Sequence, residues 1–226
     1  FMKKQTTGFA ALAMLQKILS LACFLIAAGT LSCIRGWIYF ILYLIVMAAT
    51  LAVLLHRDPN ALSFPEKNAK KAVGIDITLR NFCSPLAFYG IYIVAGLETR
   101  FHWSSVPQPI VAAGLVLSAA ANLLMSWALL SNKYYEADTP MLKDAQPAVC
   151  TGGPYRFVRH PGYLFMSFWA ITVGMIFGWA TGIVSAVIVF LLVLRTYYED
   201  KSLLADFPGY AGYAQQVKYR MIPFVW

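Results

Sequence analysis

The feature that most restricts the fold of this chain is a series of apolar runs that lack Asp, Glu, Lys and Arg. These runs cover residues 18–34, 36–55, 81–97, 104–132 and 161–194. About 17 to 25 apolar residues are enough for a helix to cross a bilayer core. Overall, 60% of the residues are hydrophobic and 12% are charged, whereas about a quarter are charged in a soluble domain. We therefore predict a single all-α integral membrane domain over residues 1–226.

The last apolar run is too long for one crossing. Its 34 residues would form a helix of about 51 Å, against a hydrocarbon core of about 30 Å. Gly178 and Gly182 flank Trp179, Ala180 and Thr181, a composition typical of a tight turn near the membrane interface. The run therefore predicts a helical hairpin, which gives about six transmembrane helices in all.

The basic residues predict the orientation of these helices. Only Arg35 and Arg100 fall on one side, and the other side carries the remaining 16 of the 18 basic residues, which are Lys3, Lys4, Lys17, Arg57, Lys67, Lys70, Lys71, Arg80, Lys133, Lys143, Arg156, Arg159, Arg195, Lys201, Lys218 and Arg220. The positive-inside rule then places both termini in the cytoplasm. Residues 1–132 would hold four spans, and residues 133–226 a long loop, the hairpin and a cytoplasmic tail.

The net charge and the cysteines exclude two other classes of protein. The net charge of +8 lies in the gaps between apolar runs, as topology signals do, so we predict no nucleic-acid partner. The four cysteines, Cys23, Cys33, Cys83 and Cys150, form no C-x-x-C pair. They are interpreted as small apolar residues, and no metal site is predicted.

One polar segment precedes the predicted hairpin. Residues 152–163 read GGPYRFVRHPGY. Proline suits the first turn of a helix, and basic residues at this boundary act as topology signals, so a structural role explains much of the segment. The same helix start would also offer unpaired backbone N–H groups to an anionic group of a cofactor. The residues alone leave both interpretations open.

A second polar segment ends the last apolar run. Arg195 and Glu199 are four residues apart and so lie on one face of a helix. Such a pair is often a surface ion pair of little energetic value, yet an ionisable residue at the edge of a membrane segment is also a functional candidate. Residues 207–223 are apolar and aromatic, and we predict that this tail packs back on the cytoplasmic face.

Together, these segments resemble a known family of membrane enzymes. From Gly153 to Pro223 the chain contains G-x-Y-x-x-x-R-H-P-x-Y, an apolar hairpin, R-x-x-x-E, and F-x-x-Y-x-x-Y-x-x-x-V. This order and spacing is similar to the isoprenylcysteine carboxyl methyltransferase family. The resemblance implies an S-adenosylmethionine-dependent methyltransferase, whose lipophilic or lipidated substrate enters from the bilayer among the membrane lipids.

The resemblance also implies a set of site residues. Arg195 would bind the substrate, Arg195 and Glu199 would serve catalysis, and the cofactor would be bound by Val149, Cys150, Tyr155, Arg159, His160, Pro161, Gly162, Tyr163 and Glu199. The chain departs from the eukaryotic members just before the motif. There, residues 146–150 read QPAVC in place of a segment that contains histidine.

These residue types suit methyl transfer to a carboxylate. A carboxylate with a pKa of about 4 is already ionised at neutral pH, so no general base is required. The enzyme must align the reactants and exclude water, and the Arg195 guanidinium suits a carboxylate because it can donate two hydrogen bonds to it. The expected reaction is methylation of the carboxylate of a prenylated cysteine or a similar compound.

Two other activities stay open on the sequence. Phospholipid and other amine or thiol methyltransferases have comparable R-H-P segments, although an ammonium acceptor must first lose a proton. NADPH-dependent sterol reductases share R-H-P-x-Y and a tail like residues 217–223, but their chains are longer and carry Arg-Asp where this one has Arg195-Thr196. The short chain favours a prokaryotic cytoplasmic membrane, with the endoplasmic reticulum as the eukaryotic alternative. The physiological acceptor and the oligomeric state are not set by the sequence.

Overall fold

The computed structural model describes residues 2–57, 75–132 and 149–226, and this part of the chain is helical without strands. A π-helical segment, Leu86–Gly90, joins α3 to α4, and a 3-10 turn, Gly153–Arg156, precedes α6. The α-helices are α1 Met2–Ala28, α2 Ile34–Arg57, α3 Ile75–Pro85, α4 Ile91–Phe101, α5 Gln108–Ser131, α6 Pro161–Phe177, α7 Trp179–Asp206 and α8 Tyr210–Gln216. The predicted all-α class is confirmed. Residues 58–74 and 133–148, which include most of the predicted long loop, lie outside the described residues.

Helix length and composition confirm the predicted membrane character. Four helices are long and apolar enough to cross a membrane: Ile34–Arg57, Thr78–Phe101, Gln108–Ser131 and Trp179–Asp206. Two shorter apolar helices, Leu12–Ala28 and Pro161–Phe177, accompany them. These six stretches follow the predicted runs in order. The count of six crossings and the cytoplasmic termini stay predictions.

The last apolar run is divided at Gly178, which confirms the helical hairpin. Gly178 has a φ of 136°, a conformation that residues with a Cβ rarely adopt. The turn is tighter than predicted, because Trp179 to Gly182 already belong to α7. The backbone N–H groups of Ala180 and Thr181 donate to the Glu98 carboxylate at 3.2 and 2.9 Å. Since these first-turn groups have no partner within the helix, the carboxylate allows α7 to begin directly after Gly178.

Glu98 is a buried acid that the sequence analysis did not identify. It is 1% exposed, and it accepts two further hydrogen bonds, from the Ser104 hydroxyl at 2.6 Å and the Thr181 hydroxyl at 2.7 Å. Four donors satisfy both carboxylate oxygens, which is the condition for burying such a group at tolerable cost. Glu98 therefore connects α4 to the bend between α6 and α7. We call the region around this bend and Glu98 the hairpin end of the bundle.

Substitution of Glu98 by glutamine is expected to lower the free energy of unfolding by about 2 kcal/mol, because an NH₂ group replaces one accepting oxygen and meets other donors. Thermal unfolding in detergent, followed by circular dichroism, measures the change. Asp206→Asn is the matched control, since Asp206 is exposed at the other end of α7. If Glu98→Gln unfolds at the same temperature as this control, the buried carboxylate does not stabilise the hairpin end.

Small side chains bring α5 close to α6. A Cβ added to Gly114 would lie 2.9 Å from Ile176 Cγ1, so only glycine fits this approach. Ser118 and Ala121 are buried on the same face of α5, at the three- and four-residue spacing that aligns side chains on a helix. Ala120 is exposed, because it lies on the opposite side of that helix.

The segment between α3 and α4 departs from regular α-helix next to a proline. Pro85, the last residue of α3, has no N–H to donate, and the five residues after it form the π-helical turn. The Ser20 hydroxyl of α1 donates to the Phe88 carbonyl at 2.7 Å. A side chain of α1 therefore contacts the segment in which the backbone hydrogen bonds change from α-helical to π-helical. Such π-helical turns are frequent at functional sites.

Candidate functional site

The tail after α8 lies against the segment that precedes α6. The backbone N–H groups of Arg159 and His160 donate to the carbonyl oxygens of Tyr219 and Arg220 at 2.9 and 2.8 Å. The predicted packing of the tail against the bundle is thus confirmed. We call this region, formed by residues 159–163, 195–200 and 217–221, the site end of the bundle.

Asp200 is the hub of the site end and is fully buried. The Arg159 guanidinium donates to both carboxylate oxygens, at 2.8 and 3.0 Å. The Arg220 Nε donates to Oδ2 at 2.8 Å, and the Tyr210 hydroxyl donates to Oδ1 at 2.7 Å. A buried carboxylate is stable when it is paired and its lone pairs are satisfied in this way. Asp200 therefore joins α7, the start of α6, α8 and the tail.

Arg159 was predicted to bind the cofactor, and its side chain is directed at the tail. Besides the two bonds to Asp200, its Nη1 donates to the carbonyl oxygens of Val217 and Lys218 at 2.9 and 3.1 Å. Its side chain is 7% exposed. These contacts show that Arg159 positions the tail, and its predicted cofactor role stays a prediction.

His160 connects the Asp200 hub to Glu199. Its Nε2 lies 3.2 Å from Asp200 Oδ1 and 3.2 Å from the Tyr210 hydroxyl. Its Nδ1 lies 3.9 Å from Glu199 Oε1, and its ring stacks on Tyr163 with the centroids 6.0 Å apart. Since the environment of one ring nitrogen sets the role of the other, Asp200 orients His160 so that Nδ1 faces Glu199.

Glu199, Tyr163 and Arg195 complete this cluster. The Tyr163 hydroxyl donates to Glu199 Oε2 at 2.5 Å, and the Arg195 guanidinium carbon lies 5.1 Å from the Tyr163 ring centroid. The Glu199 side chain is 35% exposed, so its carboxylate is accessible to a ligand. The structure therefore brings together His160, Tyr163, Arg195 and Glu199, which were predicted from two separate segments of the sequence.

Three other predicted residues, Val149, Cys150 and Tyr155, lie beside the site end. The Cys150 thiol donates to the Ser131 carbonyl at 3.3 Å, and the Tyr155 carbonyl accepts a hydrogen bond from Tyr213 at 2.7 Å. Val149 packs against a small cluster formed by Tyr210, Tyr213 and Val217. Because Tyr210 contacts His160, this group is connected to the cluster around Glu199.

The remaining predicted residues begin α6. Pro161 is its first residue and is buried, which agrees with the preference of proline for the first helical turn. Gly162 and Tyr163 follow it, and their backbone N–H groups have no partner within the helix. The predicted helix start at Pro161 is confirmed.

Two tyrosines of α8 stay protonated beside this site. Burial raises the pKa of the Tyr210 phenol, and the hydrogen bond to the Asp200 carboxylate raises it further. Burial also raises the pKa of Tyr213, with smaller contributions from Cys150 and Tyr155. Both hydroxyl groups are therefore hydrogen-bond donors at neutral pH, Tyr210 to Asp200 and Tyr213 to the Tyr155 carbonyl.

The apolar helices and the polar cluster at one end of the last hairpin define a helical membrane protein with a candidate enzyme site. The model of the isoprenylcysteine carboxyl methyltransferase (ICMT) family matches residues 106–205. This match agrees with the resemblance seen in the sequence. It covers α5, the hairpin and every predicted site residue from Val149 to Glu199, and it ends before the tail. No curated protein sequence matches the chain.

Proposed function

We propose that this chain uses S-adenosylmethionine to methylate the carboxylate of a lipophilic acceptor, such as a prenylated cysteine. The observation that carries the proposal is the position of Tyr163. Its hydroxyl donates to the Glu199 carboxylate at 2.5 Å, while its ring lies 5.1 Å from the Arg195 guanidinium. One side chain thus separates an accessible acid from a cation, and this arrangement suits a cationic cofactor beside an anionic acceptor.

The residues of the site end fit S-adenosylmethionine by their chemistry. The partly exposed Glu199 carboxylate is suited to an ammonium group, since charge-assisted hydrogen bonds are the stronger ones. The backbone N–H groups of Gly162 and Tyr163 at the start of α6 are suited to a carboxylate. Both features lie within the residues that match the methyltransferase family. When bound, the cofactor would supply a methyl group carried on its sulfonium.

The protein residues have positioning roles in this proposal. Arg195 binds the acceptor carboxylate through its planar guanidinium, which stays charged at any physiological pH. Tyr163 holds Arg195 and Glu199 in a fixed relation, and Asp200 orients His160 behind them. Because a carboxylate acceptor is already ionised, the site needs alignment and exclusion of water rather than a base.

The distribution of basic residues supports a cytoplasmic position for the site end. Arg159, Arg195 and Arg220 lie at the site end, whereas Arg35 donates to the Ile176 carbonyl near the bend after Phe177. By the positive-inside rule, the end with the greater share of Lys and Arg faces the cytoplasm.

Titration of the detergent-purified protein with S-adenosylmethionine by calorimetry tests the proposal, with NADPH as the competing ligand. We expect saturable binding of S-adenosylmethionine and none of NADPH. Transfer of a radioactive methyl group to N-acetyl-S-farnesylcysteine then tests the acceptor. Binding of NADPH without S-adenosylmethionine would overturn the proposal in favour of a reductase, and transfer to a phospholipid amine alone would overturn the carboxylate acceptor.

Substitution of Arg195 by lysine is expected to lower kcat/KM for the farnesylated acceptor about tenfold, because an ammonium does not reproduce the two parallel hydrogen bonds of a guanidinium. Affinity for S-adenosylmethionine should stay within about twofold, since Glu199 carries that contact. Arg156→Lys is the control, as Arg156 is exposed on the 3-10 turn. Full turnover by Arg195→Lys would contradict the role of Arg195 in binding the acceptor.

A further inference from the structure

Lys17 of α1 places an ammonium group inside an aromatic cage within the helical bundle. The residue is 4% exposed. Its Nζ lies 4.2 Å from the ring centroid of Tyr43, 5.2 Å from Phe88, 5.7 Å from Trp169 and 5.8 Å from Tyr92. All four distances fall within the range of about 6 Å in which a ring face attracts a cation. The sequence analysis had counted Lys17 only as a topology signal.

The cage is fixed by hydrogen bonds of its own. The Tyr39 hydroxyl lies 2.9 Å from the Tyr92 hydroxyl, and the Trp169 indole donates to Tyr39 at 2.8 Å. These bonds set the faces of Tyr92 and Trp169 towards Lys17. The cage therefore holds the ammonium in place without neutralising its charge.

The charge of Lys17 is not balanced by an acid in the part of the chain that the structure describes. The ion pairs among the described residues join Glu199 and Asp200 to His160, Arg159 and Arg220, and none of them involves Lys17. Within the described residues, the observed interactions of the Lys17 ammonium are those with the four rings. An ionisable group inside a membrane bundle is a functional candidate for this reason.

The helix α6 connects Lys17 to the candidate site. Trp169, a ring of the cage, follows Tyr163 by six residues, which corresponds to about 9 Å of helical rise. Lys17 lies against the ring of Trp169, and Arg195 lies against the ring of Tyr163. Two cations therefore lie along one helix, one at the site end and one further inside the bundle. A lipophilic acceptor bound at the site end would lie within the electrostatic field of both cations.

We propose that Lys17 determines the substrate class of the acceptor site: its caged ammonium attracts lipophilic acceptors that carry an anionic group and repels acceptors that carry an ammonium. This inference rests on the proposed methyltransferase function. In a medium of low dielectric constant an unbalanced charge acts over a longer distance than in water. Discrimination through repulsion of the wrong charge is as effective as attraction of the right one.

Three ligands that share the farnesyl thioether provide the test in the wild-type protein. The first, N-acetyl-S-farnesylcysteine, carries a carboxylate. The second is its carboxamide derivative, in which the carboxylate is replaced by a neutral amide, and the third, S-farnesylcysteamine, carries an ammonium. We expect the amide to inhibit methylation of the carboxylate compound, and the ammonium compound to inhibit at least tenfold more weakly than the amide. Equal inhibition by the neutral and ammonium compounds would overturn the inference. Because Arg195 also favours an anionic group, the variants of Lys17 are needed to assign a difference to Lys17.

Two variants of Lys17 separate charge from packing. Lys17→Met removes the charge, and we expect KM for the carboxylate acceptor to rise about tenfold while inhibition by the ammonium compound becomes stronger. Lys17→Arg keeps the charge and should retain the preference of the wild type. Lys201→Met, at an exposed position of α7, is the control and should leave both values unchanged.

The affinity for S-adenosylmethionine distinguishes the two proposals. Failure of the wild-type protein to bind S-adenosylmethionine would end the methyltransferase proposal. Lys17→Met could instead bind S-adenosylmethionine normally and show an unchanged KM for the carboxylate acceptor and unchanged inhibition by the ammonium compound. That result would overturn the inference about Lys17 and leave the methyltransferase proposal intact.

Discussion

Substitution of Asp200 by asparagine is expected to lower the free energy of unfolding by about 3 to 5 kcal/mol, the range for breaking a buried ion pair from one side. Asp200 is fully buried between Arg159 and Arg220. The amide removes the negative charge and leaves two guanidinium groups close together without their counter-ion. The tail should also separate from the start of α6, because Arg159 and Arg220 connect it there.

Thermal unfolding in detergent measures the loss of stability, and limited proteolysis after residue 217 measures the release of the tail. The control is Asp206→Asn, which changes an exposed acid of the same helix and should alter stability by less than about 0.5 kcal/mol. If Asp200→Asn resists heat and protease as well as this control does, the tail is held by its apolar contacts and Asp200 is not the hub.

Substitution of Glu199 by glutamine is expected to weaken the binding of S-adenosylmethionine about 100-fold, because a charge-assisted contact with the cofactor's ammonium is lost. Stability should change little, since the Glu199 side chain is 35% exposed and an amide oxygen can still accept the hydrogen bond from Tyr163. Calorimetric titration gives the affinity, and a melting curve of the same sample gives the stability.

Glu98→Gln is the matched control for this substitution. It makes the same chemical change at the hairpin end, where it should lower stability and leave the cofactor affinity intact. The two variants therefore have opposite expected effects on two measurements. Unchanged affinity in Glu199→Gln, or an equal loss of affinity in Glu98→Gln, would show that Glu199 does not bind the cofactor.

The elements that length and composition determine were predictable from the sequence. A run of 34 apolar residues is too long for a single crossing, so a hairpin was expected, and Gly178 was one of the two glycines predicted to flank its bend. The extent of that bend was not predictable. It depends on Glu98, which reaches α7 from a helix more than 80 residues earlier in the chain.

The identity of the buried acid was also beyond the sequence. Glu199 and Asp200 are neighbours, and successive residues on a helix point about 100° apart, so their carboxylates face different surroundings. Which one faces the interior depends on Arg220, Tyr210 and Arg159, which come from the tail, α8 and the segment before α6. For the same reason the sequence did not reveal the contacts of Arg159 with Asp200 and the tail. The cofactor role that the resemblance implies for Arg159 stays a prediction.

Lys17 shows a different limit. A lysine near the end of an apolar run is typical of a topology signal, and nothing in its immediate sequence indicates burial. Its four aromatic neighbours come from α2, the π-helical segment, α4 and α6. Such a cage is visible only after the helices have been assembled.

The π-helical turn Leu86–Gly90 has a consequence for the helix that contains it. Such a turn accommodates one residue more than an α-helical turn, and one residue corresponds to about 100° of rotation. The faces of α3 and α4 are therefore offset from one another, yet both halves pack against α7. No single stripe of side chains marks the surface that meets α7. Deletion of one residue between Pro85 and Ile91 would restore regular α-helical hydrogen bonds in this segment. The deletion would turn Cys83 and its neighbours on α3 away from α7, although it changes no side chain outside the segment.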